Sequence, residues 1–149
     1  MKGSTIVEII SVLYMILFLY TGVSKLTDYN VFREQLIDSP VLSPVAKPVA
    51  LLLPWTEFAV VLLLLYPPWR LTGLYASLLL MVVFTSYILV ILSFSDHLPC
   101  SCGGIIQQLS WKQHLLFNSA FIVAAIWAIL LQRKQIKDQR INQTPVTYS

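Results

Sequence analysis

Cys100 and Cys102 are the only two cysteines in the chain, and they stand two positions apart in the run Pro99-Cys100-Ser101-Cys102-Gly103-Gly104. A cysteine reacts as its thiolate, and nearby cations or a helix amino terminus favour that form. Both are close in sequence. Ser110 and Gln113 spell a capping box, S-x-x-Q, which sets a helix start eight residues after Cys102, and Lys112 and His114 fall in its first turn. A bridge between residues two apart closes a very small ring, at the strained end of the roughly 4.4–6.8 Å Cα separation usual for disulfides. Strain makes a disulfide easier to reduce, and Gly103 and Gly104 allow the backbone angles such a turn needs. This favours thiol-disulfide exchange over permanent stapling.

Two other readings of the pair stay open. His97, Cys100, Cys102 and His114 could offer two sulfurs and two nitrogens to a metal, but C-x-C with eleven residues before His114 is not a standard zinc spacing, so a metal is not favoured. An inert structural turn is the third.

The elements that must position the pair are membrane helices. The chain of 149 residues is 57% hydrophobic and 11% charged, far more apolar than a soluble domain needs. Four apolar stretches, about 5–24, 46–66, 71–94 and 113–131, each approach the roughly 20 residues that cross a hydrocarbon core about 30 Å thick. They are continuous runs of Leu, Val and Ile without the alternation of barrel strands, and in lipid the backbone must satisfy itself. The expected fold is all-α: a four-helix transmembrane bundle over 1–132, followed by a basic, disordered cytoplasmic tail over 133–149. The first stretch carries Glu8 and lacks a small-x-small cleavage site before Lys25, so it reads as a retained helix and not a removed signal.

Pro67 and Pro68 make a tight turn that leaves the second and third spans antiparallel neighbours. In the longer first connection, Tyr29, Phe32, Leu36 and Ile37 recur at helical spacing, which predicts a short interfacial helix over 28–37, ended by Pro40. The amino terminus, the Pro67 turn and the tail share one side with Lys2, Arg70, Arg133, Lys134, Lys137 and Arg140, against Lys25, Arg33, Lys47 and Lys112 on the other. The excess of positive charge places both termini in the cytoplasm. The cysteine loop then faces the oxidising periplasm of a bacterial inner membrane. A net charge of +3 accounts for orientation and gives no case for nucleic acid.

Polar residues within the spans form a second group. An ionised side chain near a helix centre costs on the order of 2–3 kcal/mol on insertion scales, so it turns inward and finds a partner. Glu57 is the clearest case, one turn after Pro54, whose ring frees a carbonyl and predicts a kinked polar spot. Lys25 is its expected partner, because its stem can snorkel and Gly22 permits close approach. The pair reads equally as a fold-fixing contact or a proton-handling one. Glu8, near the cytoplasmic end, is expected to be solvated.

On the fourth span Trp111, His114, Asn118, Phe121 and Ala125 share one face. The simpler account puts Trp111 in an interfacial aromatic belt and gives Asn118 a hydrogen bond across helices. The alternative makes Trp111 and Asn118 the floor of a small cofactor site, with a quinone ring as the candidate. His114, with a usual pKa of about 6.5, suits proton transfer during thiolate exchange.

The run Tyr20 to Leu26 (YTGVSKL), Pro54 to Glu57 (PWTE), Cys100 to Gly104 (CSCGG), Ser110 to His114 (SWKQH) and Asn118 together resemble the MauE branch of the DoxX-like membrane proteins, over about residues 5–131. Gly103 stands where members often carry an aromatic residue. The resemblance implies a redox-associated four-helix membrane protein, its MauE members linked to methylamine dehydrogenase maturation, where many disulfides form alongside a periplasmic thioredoxin-like partner. A membrane thiol-disulfide oxidoreductase is the expected function. With one cysteine pair, its relay would need a partner's cysteines. The competing expectation is a non-enzymatic subunit or assembly factor of an envelope complex with structural cysteines.

Overall fold

The computed structural model describes residues 2–94 and 110–143, apart from the side chain of Trp111. Cys100, Cys102 and His97 lie outside the described residues, as does the Trp111 ring offered for the aromatic belt or a cofactor site. The described chain forms five α-helices: α1 (Lys2–Thr27), α2 (Tyr29–Asp38), α3 (Ala46–Leu65), α4 (Arg70–Phe94) and α5 (Trp111–Gln143). Four of them, α1, α3, α4 and α5, are long and apolar enough to cross a membrane. The protein is a multi-pass membrane protein of four spans.

Those four helices are apolar around most of their circumference, the pattern of a helix with lipid on one side and protein on the other. Ile9, Leu13 and Ile16 of α1, Leu62 of α3 and Leu79 of α4 point outward. The inward set on α1 is Val7, Ile10, Tyr14 and Phe18, spaced by three and four residues, and it meets Val60, Val61 and Leu64 of α3, Leu74 and Met81 of α4, and Ala125, Ala128 and Ile129 of α5. The helices form a four-cornered ring in which α1 lies between α3 and α5, and α4 closes the far corner.

Lipid tails are as apolar as leucine, so burial alone does not hold this ring together; close backbone approach and internal hydrogen bonds do. A Cβ on Gly73 would stand 2.9 Å from the backbone nitrogen of Leu64, so the backbones of α3 and α4 come close together just beyond the Pro67–Trp69 turn. Ser11 and Ser77 are buried and donate to carbonyls of their own helices, Val7 at 2.7 Å and Gly73 at 2.8 Å. The Tyr14 hydroxyl donates to the Phe121 carbonyl at 2.6 Å and ties α1 to α5 near their middles.

The bundle has two unlike ends. At one, the tight Pro67–Trp69 turn, Glu8 and Arg70 at 3.9 Å, and Gly3 against Leu131 and Gln135 gather the starts of α1 and α4 with the later turns of α5. Glu8 is solvated there, 58% exposed. At the other end α2 folds over the start of α3: Phe32 and Leu36 pack on Ala46 and Ala50, while Ile37 is exposed. Pro40 follows the last turn, and the Ser39 hydroxyl accepts from Tyr87 of α4 at 2.9 Å, which pins the α2–α3 connection to the bundle.

The carboxyl-terminal segment departs from expectation. Residues 133–143, read from composition as disordered tail, continue α5 to Gln143; residues 144–149 lie outside the described residues. Lys, Arg and Gln are good helix formers, and a span already nucleated in the membrane extends into water at little cost. Gln135 also finds a contact over Gly3.

Gly73→Ala should lower the unfolding midpoint of the detergent-solubilised protein, because the new methyl meets backbone that cannot swing away, an overpacking cost of about 1–3 kcal/mol. Gly3→Ala, whose Cβ would meet the flexible end of Gln135 at 3.1 Å, should leave the midpoint nearly unchanged. Thermal unfolding of the two variants side by side checks the contrast.

Candidate functional site

Lys25 and Glu57 meet between α1 and α3, with Lys25 Nζ 2.7 Å from Glu57 Oε1. Both are withdrawn from the surface, at 5% and 0% side-chain exposure. Two local features put them there. Gly22, one turn before Lys25, leaves room for Glu57: a Cβ on it would stand 2.9 Å from the Phe58 ring and 3.3 Å from Glu57 Oε2. Thr21, one turn before Lys25 on the same face, donates its hydroxyl to Glu57 Oε1 at 3.2 Å and offers its carbonyl to Lys25 Nζ at 3.5 Å. Pro54 lies inside α3 and is itself buried one turn before Glu57.

The ion pair forms the polar wall of a cavity of about 240 Å³. Every membrane helix contributes. Phe32 and Leu36 of α2 roof it, Phe84, Tyr87 and Ile88 of α4 line another side, and His114, Phe117 and Asn118 reach it from the first turns of α5. Lys25 Nζ sits 5.8 Å from the ring centres of both Phe32 and Phe84, so the ammonium is flanked by two aromatic faces as well as by a carboxylate.

The start of α5 takes the form that the capping box dictates. The Ser110 backbone N–H donates to Gln113 Oε1 at 3.0 Å, and the Gln113 N–H donates to Ser110 Oγ at 3.4 Å. This fixes where the helix begins and turns His114 and Asn118 inward, both buried. Phe94 and Ser110 bracket the segment that carries the cysteines, and both belong to the end of the bundle where the cavity lies. His114 and Asn118 thus join Lys25 and Glu57 in one lining, which sequence spacing alone did not connect.

One expectation changes. Asn118, read as an interhelical hydrogen-bonding residue, makes no side-chain hydrogen bond among the described residues and lines the cavity instead. The cross-helix bond to α5 comes from Tyr14, which donates to a backbone carbonyl. Among the described residues no cluster of three metal-ligating side chains occurs, and the metal reading involving His97 and the cysteines lies outside them. Thr21, Phe32 and Phe84 are site residues that sequence reasoning missed. Thr21 carried a signal in its i, i+4 spacing to Lys25 and Phe32 in the helical spacing of α2, while Phe84 carried none.

A family model described as methylamine utilisation protein MauE matches residues 3–131. Comparison with curated proteins and with solved structures finds no match.

Removing one member of a buried ion pair leaves the other charge uncompensated, typically at a cost of about 3–5 kcal/mol, whereas replacing both with apolar residues of similar volume is often close to neutral. Lys25→Met and Glu57→Leu should each sharply lower the unfolding midpoint in detergent. The double variant should recover most of the loss. A double-mutant cycle by thermal unfolding measures the coupling.

Proposed function

The chain belongs to the MauE family, and on that premise we propose that it is a redox-associated membrane protein that exchanges disulfides through Cys100 and Cys102 in support of periplasmic protein maturation. The family description ties it to methylamine utilisation; the thiol chemistry is read from this chain's own residues. The observation that carries the reading is the placement of the only two cysteines. They stand two positions apart in the sequence between α4 and α5, close enough to form and open a small, strained ring.

Cys100 and Cys102 cycle between dithiol and disulfide. In one direction a thiolate of a periplasmic thioredoxin-like partner attacks one sulfur of the pair, a mixed disulfide forms, and the partner's second thiolate resolves it. The partner leaves oxidised and the pair is left as two thiols. His114, in the first turn of α5, is the candidate proton carrier. The positive cluster of Arg133, Lys134, Lys137 and Arg140 supports a cytoplasmic location for the end of α5 and, with four spans, for the start of α1. The cysteine segment then faces the periplasm of a bacterial inner membrane, where disulfides persist.

Exchange also runs in reverse, the Cys100 thiolate attacking a partner disulfide and Cys102 resolving the adduct; Cys102→Ser removes that resolving thiol, so a mixed disulfide between Cys100 and a periplasmic thiol protein should accumulate and be identified by mass spectrometry after acid quenching. Absence of any adduct in both Cys102→Ser and Cys100→Ser would favour the alternative, an assembly subunit with structural cysteines. Topology is checked separately: an impermeant maleimide added outside intact inner-membrane spheroplasts should label the reduced pair, and protection from it would invert the orientation.

A further inference from the structure

We propose that the cavity between Lys25 and Asn118 binds the ring of a membrane quinone, an inference that rests on the redox reading above and names its lipid-soluble electron acceptor. The lining itself specifies the ligand. Lys25 carries three N–H donors, and its partners are Glu57 Oε1 and, at the limit of hydrogen bonding, the Thr21 carbonyl. One donor is unspent. Asn118, almost fully buried on α5, adds the two donors of its amide, which no protein group takes up among the described residues. Unspent donors in an otherwise apolar chamber ask for a ligand that brings acceptor oxygens and little else.

The rest of the wall fixes the body of that ligand. Phe32, Phe84 and Phe117 present aromatic surface, and the cavity, about 240 Å³, lies just below the roughly 300–1,000 Å³ usual for small-molecule sites. That suits one flat ring with its substituents. A phospholipid acyl chain would fill the apolar space but bring no acceptor to Lys25 or Asn118. A ring bearing carbonyl oxygens satisfies both requirements.

The lining therefore offers donors to the carbonyl oxygens of the quinone. The couple balances: two cysteine thiols lose two electrons and two protons as their sulfur–sulfur bond forms, and the quinone takes up both electrons and both protons to leave as quinol.

The test uses the full chain in detergent micelles, photolabelled with an azido-substituted short-chain ubiquinone and mapped by peptide mass spectrometry. Label should concentrate on peptides carrying Phe84 to Ile88 and His114 to Asn118, and excess ubiquinone-1 should suppress it. Val49→Phe, which fills the cavity from a half-buried position and leaves the ion pair intact, and Asn118→Leu should each weaken competition by ubiquinone-1 at least tenfold. Leu79→Phe, on the lipid face, should not. Label spread over the outward faces, or label that ubiquinone-1 does not displace, would overturn the site, as would retention of a phospholipid in the cavity that quinone does not compete away. If the mixed disulfide of Cys102→Ser forms but no specific label appears, only the quinone assignment falls. Specific label without any mixed disulfide removes the exchange reading instead.

Discussion

An ammonium and a carboxylate buried in a lipid-embedded bundle cannot be left apart, and the Lys25–Glu57 contact is where this fold meets that constraint. Oppositely charged groups at 2.7 Å attract strongly in a medium of low polarity, but both have been stripped of water, so the arrangement holds only with supporting hydrogen bonds. Thr21 supplies them from both its hydroxyl and its carbonyl. Gly22 admits the carboxylate by having no side chain. The pair thereby sets the register of α1 against α3, and because Phe32 and Phe84 flank the ammonium, it also sets where α2 and α4 come to rest.

From that contact follows the difference between the two ends of the bundle. One end is closed by a turn of two prolines and by apolar side chains packed between close backbones. The other is bridged by the ion pair and roofed by α2, around a chamber with polar groups on one wall and aromatic rings on the others. Phe94 and Ser110, the described residues on either side of the cysteine segment, belong to the second end. In the proposed function this gives the thiol pair access to a water-facing partner on one side and to a lipid-soluble acceptor on the other, within a single small protein.

Much of this was legible in the residues. Four long apolar runs leave a membrane chain no choice but helices, and a Lys and a Glu within them leave each other as partners. The S-x-x-Q sequence at Ser110 specifies both hydrogen bonds of the α5 start. The spacing of Phe32 and Leu36 marked α2. What stayed hidden depends on distant segments meeting: nothing local says that Phe84 packs over Lys25, or that Asn118 faces a chamber and not a neighbouring helix. The continuation of α5 past Gln132 was hidden for another reason, since a solvated helix and a disordered tail draw on the same polar residues.

In the proposed function Cys100 and Cys102 are a working redox couple and not a fixed structural feature. Thiol trapping in intact membranes, with a mass-adding maleimide after brief exposure to reductant or oxidant, tests it most directly. The pair should move between dithiol and disulfide with the redox condition and return when the reagent is removed. A pair trapped in one state under every condition would contradict it.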